Sequence, residues 1–239
     1  MIDPARYSGR VALVTGARRG VGRMVSEHFL NGGADLVGFA RGESTIDHPH
    51  YHHYRVDLGN ASEIAAVFDD LRKAVGRVDI VINNAAVLTS QYAMIMPAQA
   101  AQAMLNINLL GPFMVSREAA KLMRKRKWGR IINMGSMAVS LEPMGDSVYA
   151  ACKAGLSTMA GVMAREFASF NVTCNTLAIT AIDSDMLNQL PRNKVQAIID
   201  RLPLPRFAVA DDILNVIDFL ASERSSYITA QTIYLGGVN

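Results

Sequence analysis

Tyr149 and Lys153 stand four residues apart in Tyr149-Ala150-Ala151-Cys152-Lys153, inside a stretch with helical periodicity from Val148 to Phe170. Residues at that spacing share one face in neighbouring turns, so a phenol and an ammonium meet. A free phenol titrates near pH ~10 and a nearby ammonium stabilises phenolate, which would bring the tyrosine toward the range where it exchanges protons in catalysis. The same spacing recurs by chance in many helices, so the pair needs company. Ser136 supplies some, closing the strand-like run that ends Asn133-Met134-Gly135-Ser136, as does Asn108 in Asn106-Ile107-Asn108-Leu109-Leu110-Gly111.

A second constellation lies near the N-terminus. Thr15-Gly16-Ala17-Arg18-Arg19-Gly20-Val21-Gly22 follows an apolar run, Val11 to Thr15, and opens a helical pattern from Val21 to Asn31. Small residues there let backbone approach phosphates, and the helix N-terminus offers N–H groups and a positive dipole end to a pyrophosphate. A flexible turn is the bland alternative, and placement after the first strand argues against it. At the end of the second strand, where an acid would bind a ribose 2′-hydroxyl, stands Ala40. Arg41 follows, and Arg19 could reach the same region. These cations suit a 2′-phosphate, so NADP(H) is expected over NAD(H), against the alternative of two solvated arginines. Asp57-Leu58 after the third strand and Asn83-Asn84-Ala85-Ala86 after the fourth fall at strand C-termini, where ligands bind in open α/β sheets. Asn83 fits a structural role as well as a binding one.

The elements that must position these groups alternate along the chain. Strand-like runs cover Asp35 to Ala40, Tyr51 to Val56, Val78 to Asn83, Arg130 to Met134, Val172 to Leu177 and Thr232 to Leu235. Between them, helical patterns cover Ala61 to Ala74, Ala98 to Arg126 with an interruption at Gly111-Pro112, and Ala210 to Leu220. The order calls for an α/β fold with a doubly wound parallel sheet, since parallel neighbours need crossovers that cover both faces. The crossover from Arg41 to His50 is too short for a full helix and is expected to be a loop or a single turn.

The ordered set of Thr15-Gly16-x3-Gly20-x-Gly22, Asn83-Asn84-Ala85, Asn108, Ser136, Tyr149 and Lys153 resembles the short-chain dehydrogenase/reductase family throughout the chain, most closely its 3-oxoacyl-carrier-protein reductase-like branch. The resemblance implies a Rossmann-type fold and a catalytic tetrad of Asn108, Ser136, Tyr149 and Lys153. By that resemblance Tyr149 gives the proton to a carbonyl oxygen in reduction and Ser136 polarises the same oxygen. Lys153 holds the nicotinamide ribose and lowers the tyrosine pKa, and Asn108 positions a water linking the lysine to solvent. Ile182 and Ser184 match positions that contact the nicotinamide carboxamide and phosphates, and the family suggests a homotetramer built on the helices around 98–126 and 148–170.

This chain departs from the family in places. Ala86 replaces a usual glycine, and Ile179-Thr180 stands where a Pro-Gly pair is common, which reshapes the nicotinamide wall. Arg130 matches a basic residue that reductases of acyl-carrier substrates present at the site entrance, while Phe170 occupies the place of another. A carrier-protein partner is therefore possible but not favoured, leaving a small ketone, polyol or sugar-like alcohol as substrate. A NAD-linked diol or sugar-alcohol dehydrogenase is the alternative enzyme. A non-catalytic NADP-binding sensor or scaffold is the alternative class, and it need not keep Ser136, Tyr149 and Lys153 together.

Composition sets the remaining expectations. With 239 residues, half of them hydrophobic, the chain can bury one large core, read as a single domain over 1–239. The net charge of +3 is spread among acids, so no nucleic-acid surface is expected. No apolar run approaches the roughly 18 residues of a membrane span, and two cysteines, Cys152 and Cys174, make no disulfide framework, so a cytoplasmic enzyme is expected. His48, His50, His52 and His53 crowd one segment but lack ordered metal spacing, so no metal is expected. Met137, Met144 and Met186 fall near the expected substrate entrance.

Overall fold

Apolar residues run unbroken along the central strands because both faces of the sheet are covered. In the computed structural model, which describes residues 2–184, 187 and 192–238, the strands are β1 (Val11–Thr15), β2 (Asp35–Ala40), β3 (Tyr51–Arg55), β4 (Ile80–Asn83), β5 (Gly129–Ser136), β6 (Val172–Ile179) and β7 (Thr232–Tyr234). They pair in parallel in the order β3-β2-β1-β4-β5-β6-β7. Alternate residues divide between two cores. Leu13, Val81 and Ile131 face one side, while Ala12, Val14, Ile80 and Ile132 face the other.

Helices α1 (Gly20–Asn31), α2 (Ala61–Ala74), α3 (Ala98–Leu105), α4 (Gly111–Arg126), α5 (Ala138–Leu141), α6 (Ser147–Phe167), α7 (Arg192–Ile199) and α8 (Ala210–Ala221) complete the chain. α2 packs on α4 and α4 on α6 over one face, and α1 meets α8 over the other. The chain leaves β1 toward β2 in one direction and reaches β4 in the other. That reversal opens a crevice at the C-terminal ends of β1 and β4. As expected, residues 41–50 cross from β2 to β3 without a helix.

Two expectations need correction. The break in the long helical stretch is a π-helical turn over Asn106–Leu110, closed by the Gly111 N–H on the Asn106 carbonyl, rather than an interruption at Gly111-Pro112. Gly111 and Pro112 instead start α4, where a proline costs no helical bond. Gly111 also has a packing reason, since a Cβ there would lie 2.8 Å from the Leu58 carbonyl oxygen. Arg130 is not at the site entrance. It is the second residue of β5, at the strand end away from Ser136, and is 0% exposed, with its guanidinium bonded to the Ser222 and Gly129 carbonyls and stacked 4.5 Å from the Trp128 ring. Burial lowers its pKa to about 10. Phe170 lies beneath the Arg124 guanidinium at 5.9 Å. No helix among the described residues is long and apolar enough to cross a membrane.

Candidate active site

The turn from β1 into α1 needs glycine for two distinct reasons. Gly16 and Gly20 have φ of +70° and +54°, and a Cβ at Gly22 would stand 2.1 Å from the Gly16 carbonyl oxygen. At Gly20 a Cβ would meet nothing within 4 Å, so the mouth of the turn is open. α1 starts with no side-chain cap on its N–H groups and no acid in its first turn. An anion is the group such a terminus accepts.

Thr15 ties this turn to the end of β4. Its hydroxyl oxygen accepts from the N–H groups of Asn84 and Ala85, both at 3.0 Å, and its carbonyl accepts from the Asn84 amide at 2.9 Å. Asn83 resolves to a structural part: it is buried, and its amide donates to Ser116 Oγ and Asn133 Oδ1, both at 2.8 Å.

A crevice of about 470 Å³ runs from this turn to Tyr149. Every residue assigned to the cofactor from sequence lines it: Gly16, Arg18, Arg19, Gly20, Val21 and Gly22 in the turn; Ala40 and Arg41 after β2; Asp57 and Leu58 after β3; Asn84, Ala85 and Ala86 after β4; then Tyr149, Lys153, Ile182 and Ser184. Sequence reading did not pick out Gly42, Val87, Leu88 and Ile107, which also line it. For Gly42, Val87 and Leu88 the signal was nearness to strand ends already identified, and for Ile107 it was adjacency to Asn108. Arg18 is the arginine drawn to the end of β2, its guanidinium lying so close over Gly42 that a Cβ there would be 2.6 Å from Nη1. Thr45 fastens the same loop by donating to the Arg18 carbonyl at 2.6 Å.

At the other end β5 delivers Ser136 and α6 delivers Tyr149 and Lys153, all three buried. Ser136 hydrogen-bonds the Tyr149 hydroxyl, and its Oγ accepts from the Ala138 N–H at 3.1 Å. Lys153 donates to the Met134 carbonyl at 2.7 Å, with Nζ 5.7 Å from the centre of the tyrosine ring. The expected lowering of the tyrosine pKa by the lysine does not hold here. Burial pushes the Tyr149 phenol up to about 12, with Asp146 and Cys152 adding to the rise and only the Ser136 hydrogen bond opposing it. Lys153 is itself brought down to about 8 by burial, so desolvation dominates both members of the pair.

Asn108 makes its side-chain hydrogen bonds away from these three. Fully buried in the π-helical turn, its amide donates to the Val87 carbonyl and accepts from the Val87 N–H, both at 2.8 Å, which holds the segment after β4.

The two residues that replace Pro-Gly point different ways. Ile179 lines the crevice, while Thr180 turns its methyl toward Gly236. Met137 packs on Ala181, Ile199 and Leu202, Met144 is exposed, and Met186 lies outside the described residues. In the histidine-rich segment His50 meets Asp35 at 2.8 Å and His53 meets the Gly42 carbonyl at 2.8 Å. Among the described residues no group of three potential ligands could hold a metal.

Comparison with known proteins adds the following. Residues 16–239 match a family model described as enoyl-(acyl carrier protein) reductase. The 3-oxoacyl-(acyl-carrier-protein) reductase of Escherichia coli K12 is 32% identical over 237 residues, covering 97% of each chain. The reductase of the same name from Vibrio cholerae is 35% identical over 237 residues, covering 96% of each. Among solved structures, a "putative gluconate dehydrogenase" from Agrobacterium tumefaciens matches with a TM-score of 0.88 and 27% identity, over 99% of this chain and 98% of that one.

Proposed function

From the premise that this chain belongs to the short-chain dehydrogenase/reductase family of oxidoreductases, we propose that it interconverts a carbonyl and a secondary alcohol with NADP(H), using Tyr149 as the proton-exchanging group. The observation that carries the reading is the buried meeting of Ser136, Tyr149 and Lys153 at one end of the crevice whose other end is the glycine turn. The donor set fits an anionic dinucleotide. The uncapped start of α1 and the open space at Gly20 suit a pyrophosphate. Arg18, Arg19 and Arg41 around Ala40 suit a 2′-phosphate better than a ribose hydroxyl.

In this reading Asp57 and Leu58 wall the adenine side, Asn84 to Ala86 the ribose side, and Ile182 and Ser184 the carboxamide end. The bound nucleotide supplies or accepts the hydride. Ser136 bonds the substrate oxygen and orients it toward Tyr149. The Tyr149 phenol passes its proton to that oxygen during reduction and takes it back during oxidation. Lys153, protonated near neutral pH, presents a buried ammonium to the nicotinamide ribose. Pre-organised donors in a water-poor crevice are what make such small motions effective.

The substrate is a small molecule. The names of the curated relatives point to a carrier-protein thioester, but the buried Arg130 leaves no cation for an acidic carrier at that position. Likeness to a protein named for gluconate favours a hydroxylated substrate and is the specific support for the polyol alternative. For assembly, Leu105, Leu110, Phe113 and Val162 are exposed on α3, α4, α6 and the π-helical turn, and we assign that apolar surface to a homotetramer. Light scattering giving a monomer would remove that assignment.

Nicotinamide absorbance read across a panel of ketones, hydroxyketones and polyols, with each cofactor, tests the whole. Turnover with a higher kcat/KM for NADPH than NADH is expected. Tyr149→Phe should lose about 10²–10⁴-fold. Unchanged turnover in that variant, or none in the wild type on any substrate, overturns the reading.

A further inference from the structure

We infer that Asp146 is a positioning residue that acts through Tyr149, keeping the proton on the phenol so that the site is poised to deliver a proton rather than to take one. The inference rests on the reading of Tyr149 as the proton-exchanging group and adds a residue to it.

Asp146 occupies the position just before α6, where an aspartate ordinarily accepts a bond from the first helical N–H groups. It makes no such side-chain bond. The residue is 6% exposed, and its Oδ1 has no hydrogen-bond partner. Backbone bonds fix it in place: its N–H donates to the Pro143 carbonyl at 3.1 Å and its carbonyl accepts from the Ala150 N–H at 2.7 Å. The preceding Gly145 carbonyl accepts from the Gln91 N–H at 2.9 Å, which pins the loop against the segment after β4. Asp146 caps the turn of α6 that carries Tyr149, three residues before it, and Lys153 follows Tyr149 by one further turn.

A buried carboxylate with one unpartnered oxygen, three residues from a phenol, acts on it with little screening. Around Tyr149, β5 offers the Ser136 hydroxyl; the residue before α6 is Asp146, and α6 itself offers Cys152 and Lys153; α3 and the segment after β4 offer the apolar Met104, Val87 and Leu88. Asp146 and Cys152 oppose the phenolate, Ser136 favours it, and burial works with the former. Reduction needs the phenol, present below its pKa, and oxidation needs the phenolate, present above it. Asp146 therefore moves alcohol oxidation toward alkaline pH and leaves carbonyl reduction fully protonated at neutral pH.

The experiment compares wild type with Asp146→Asn, Asp146→Ser and Asp146→Glu. Asn and Ser remove the charge yet are good helix starters, so one variant keeps the test alive if the other folds poorly. Two readouts are taken: the pH profile of kcat for alcohol oxidation, and ultraviolet titration of tyrosinate with each protein's Tyr149→Phe counterpart subtracted. Loss of a unit charge one helical turn away should lower the Tyr149 inflection by about one to two pH units in both. Glu should restore it toward wild type. An unmoved inflection, with rates lowered equally at every pH, would make Asp146 merely structural and overturn the inference. A shifted tyrosinate titration in a protein with no nucleotide-dependent turnover would uphold it while overturning the proposed reaction.

Discussion

Asn108→Ala is the substitution whose cost follows most directly from geometry. The amide, itself fully buried, satisfies both backbone groups of the half-buried Val87, at 2.8 Å each. Removing it leaves one N–H and one carbonyl without that partner, each costing about 1–3 kcal/mol. A total of about 4 kcal/mol, at roughly 2–4 °C per kcal/mol for a chain of this size, lowers Tm by about 8–16 °C. Asn108→Asp sharpens the test. An ionised carboxylate can accept the Val87 N–H but turns an oxygen toward the Val87 carbonyl, so burial and repulsion raise its pKa in the fold. A folded state that holds its proton more tightly loses stability as pH rises, and the damage should be least in acid, where the protonated acid donates to the carbonyl. Thermal unfolding of both variants across pH measures this. A drop of less than about 2 °C for Asn108→Ala, or a penalty for Asn108→Asp that grows toward acid pH, would refute the reasoning.

Three further outcomes follow from other contacts. Arg18→Ala should raise KM for NADPH about tenfold or more while leaving NADH nearly unchanged, since one charge-assisted contact at the end of β2 is lost; equal effects on both cofactors would remove Arg18 from the 2′-phosphate. Gly22→Ala places a carbon 2.1 Å from the Gly16 carbonyl oxygen and 2.5 Å from the Asn84 amide, so nucleotide binding by fluorescence titration should be lost along with several degrees of Tm. Lys153→Met should abolish turnover yet stabilise the protein at neutral pH. Burial moves the lysine from 10.5 to about 8, so the fold sheds its proton first and stability climbs between those two pH values. The neutral-pH penalty is about 3 kcal/mol, less about 1 for the Met134 carbonyl left unpaired, and the gain in Tm should fade as pH approaches the upper value.

The strands and the crevice were legible in the sequence because both rest on local rules. Buried parallel strands read as apolar runs, and crevices open at strand ends, so Gly16 to Gly22, Ala40-Arg41, Asp57-Leu58 and Asn84 to Ala86 could be placed along one crevice without a structure. What escaped depends on partners distant in the chain. Gly111, at the end of the π-helical turn, packs close against Leu58, Arg130 is hidden by Trp128, Gly129 and Ser222, and Asn108 is claimed by Val87. Helix α7 was not anticipated, its eight residues being short for a periodic signal. The direction of the Tyr149 pKa was misread because spacing reveals an ammonium nearby but not the burial of both groups.

The loop after β2 has a bearing on how such a protein can change over time. Arg18, Arg41 and Thr45 are exposed, carry no core packing, and meet over ten residues without a helix. The opposite end of the crevice is buried and cross-tied through Ser136, Tyr149, Lys153 and Asn108. Under the proposed reading, mutations that retune which nucleotide is chosen would fall on the exposed loop, and mutations in the proton machinery would fall in the buried end. A lineage carrying this scaffold would then exchange one redox pool for another in a few steps while its chemistry stays fixed.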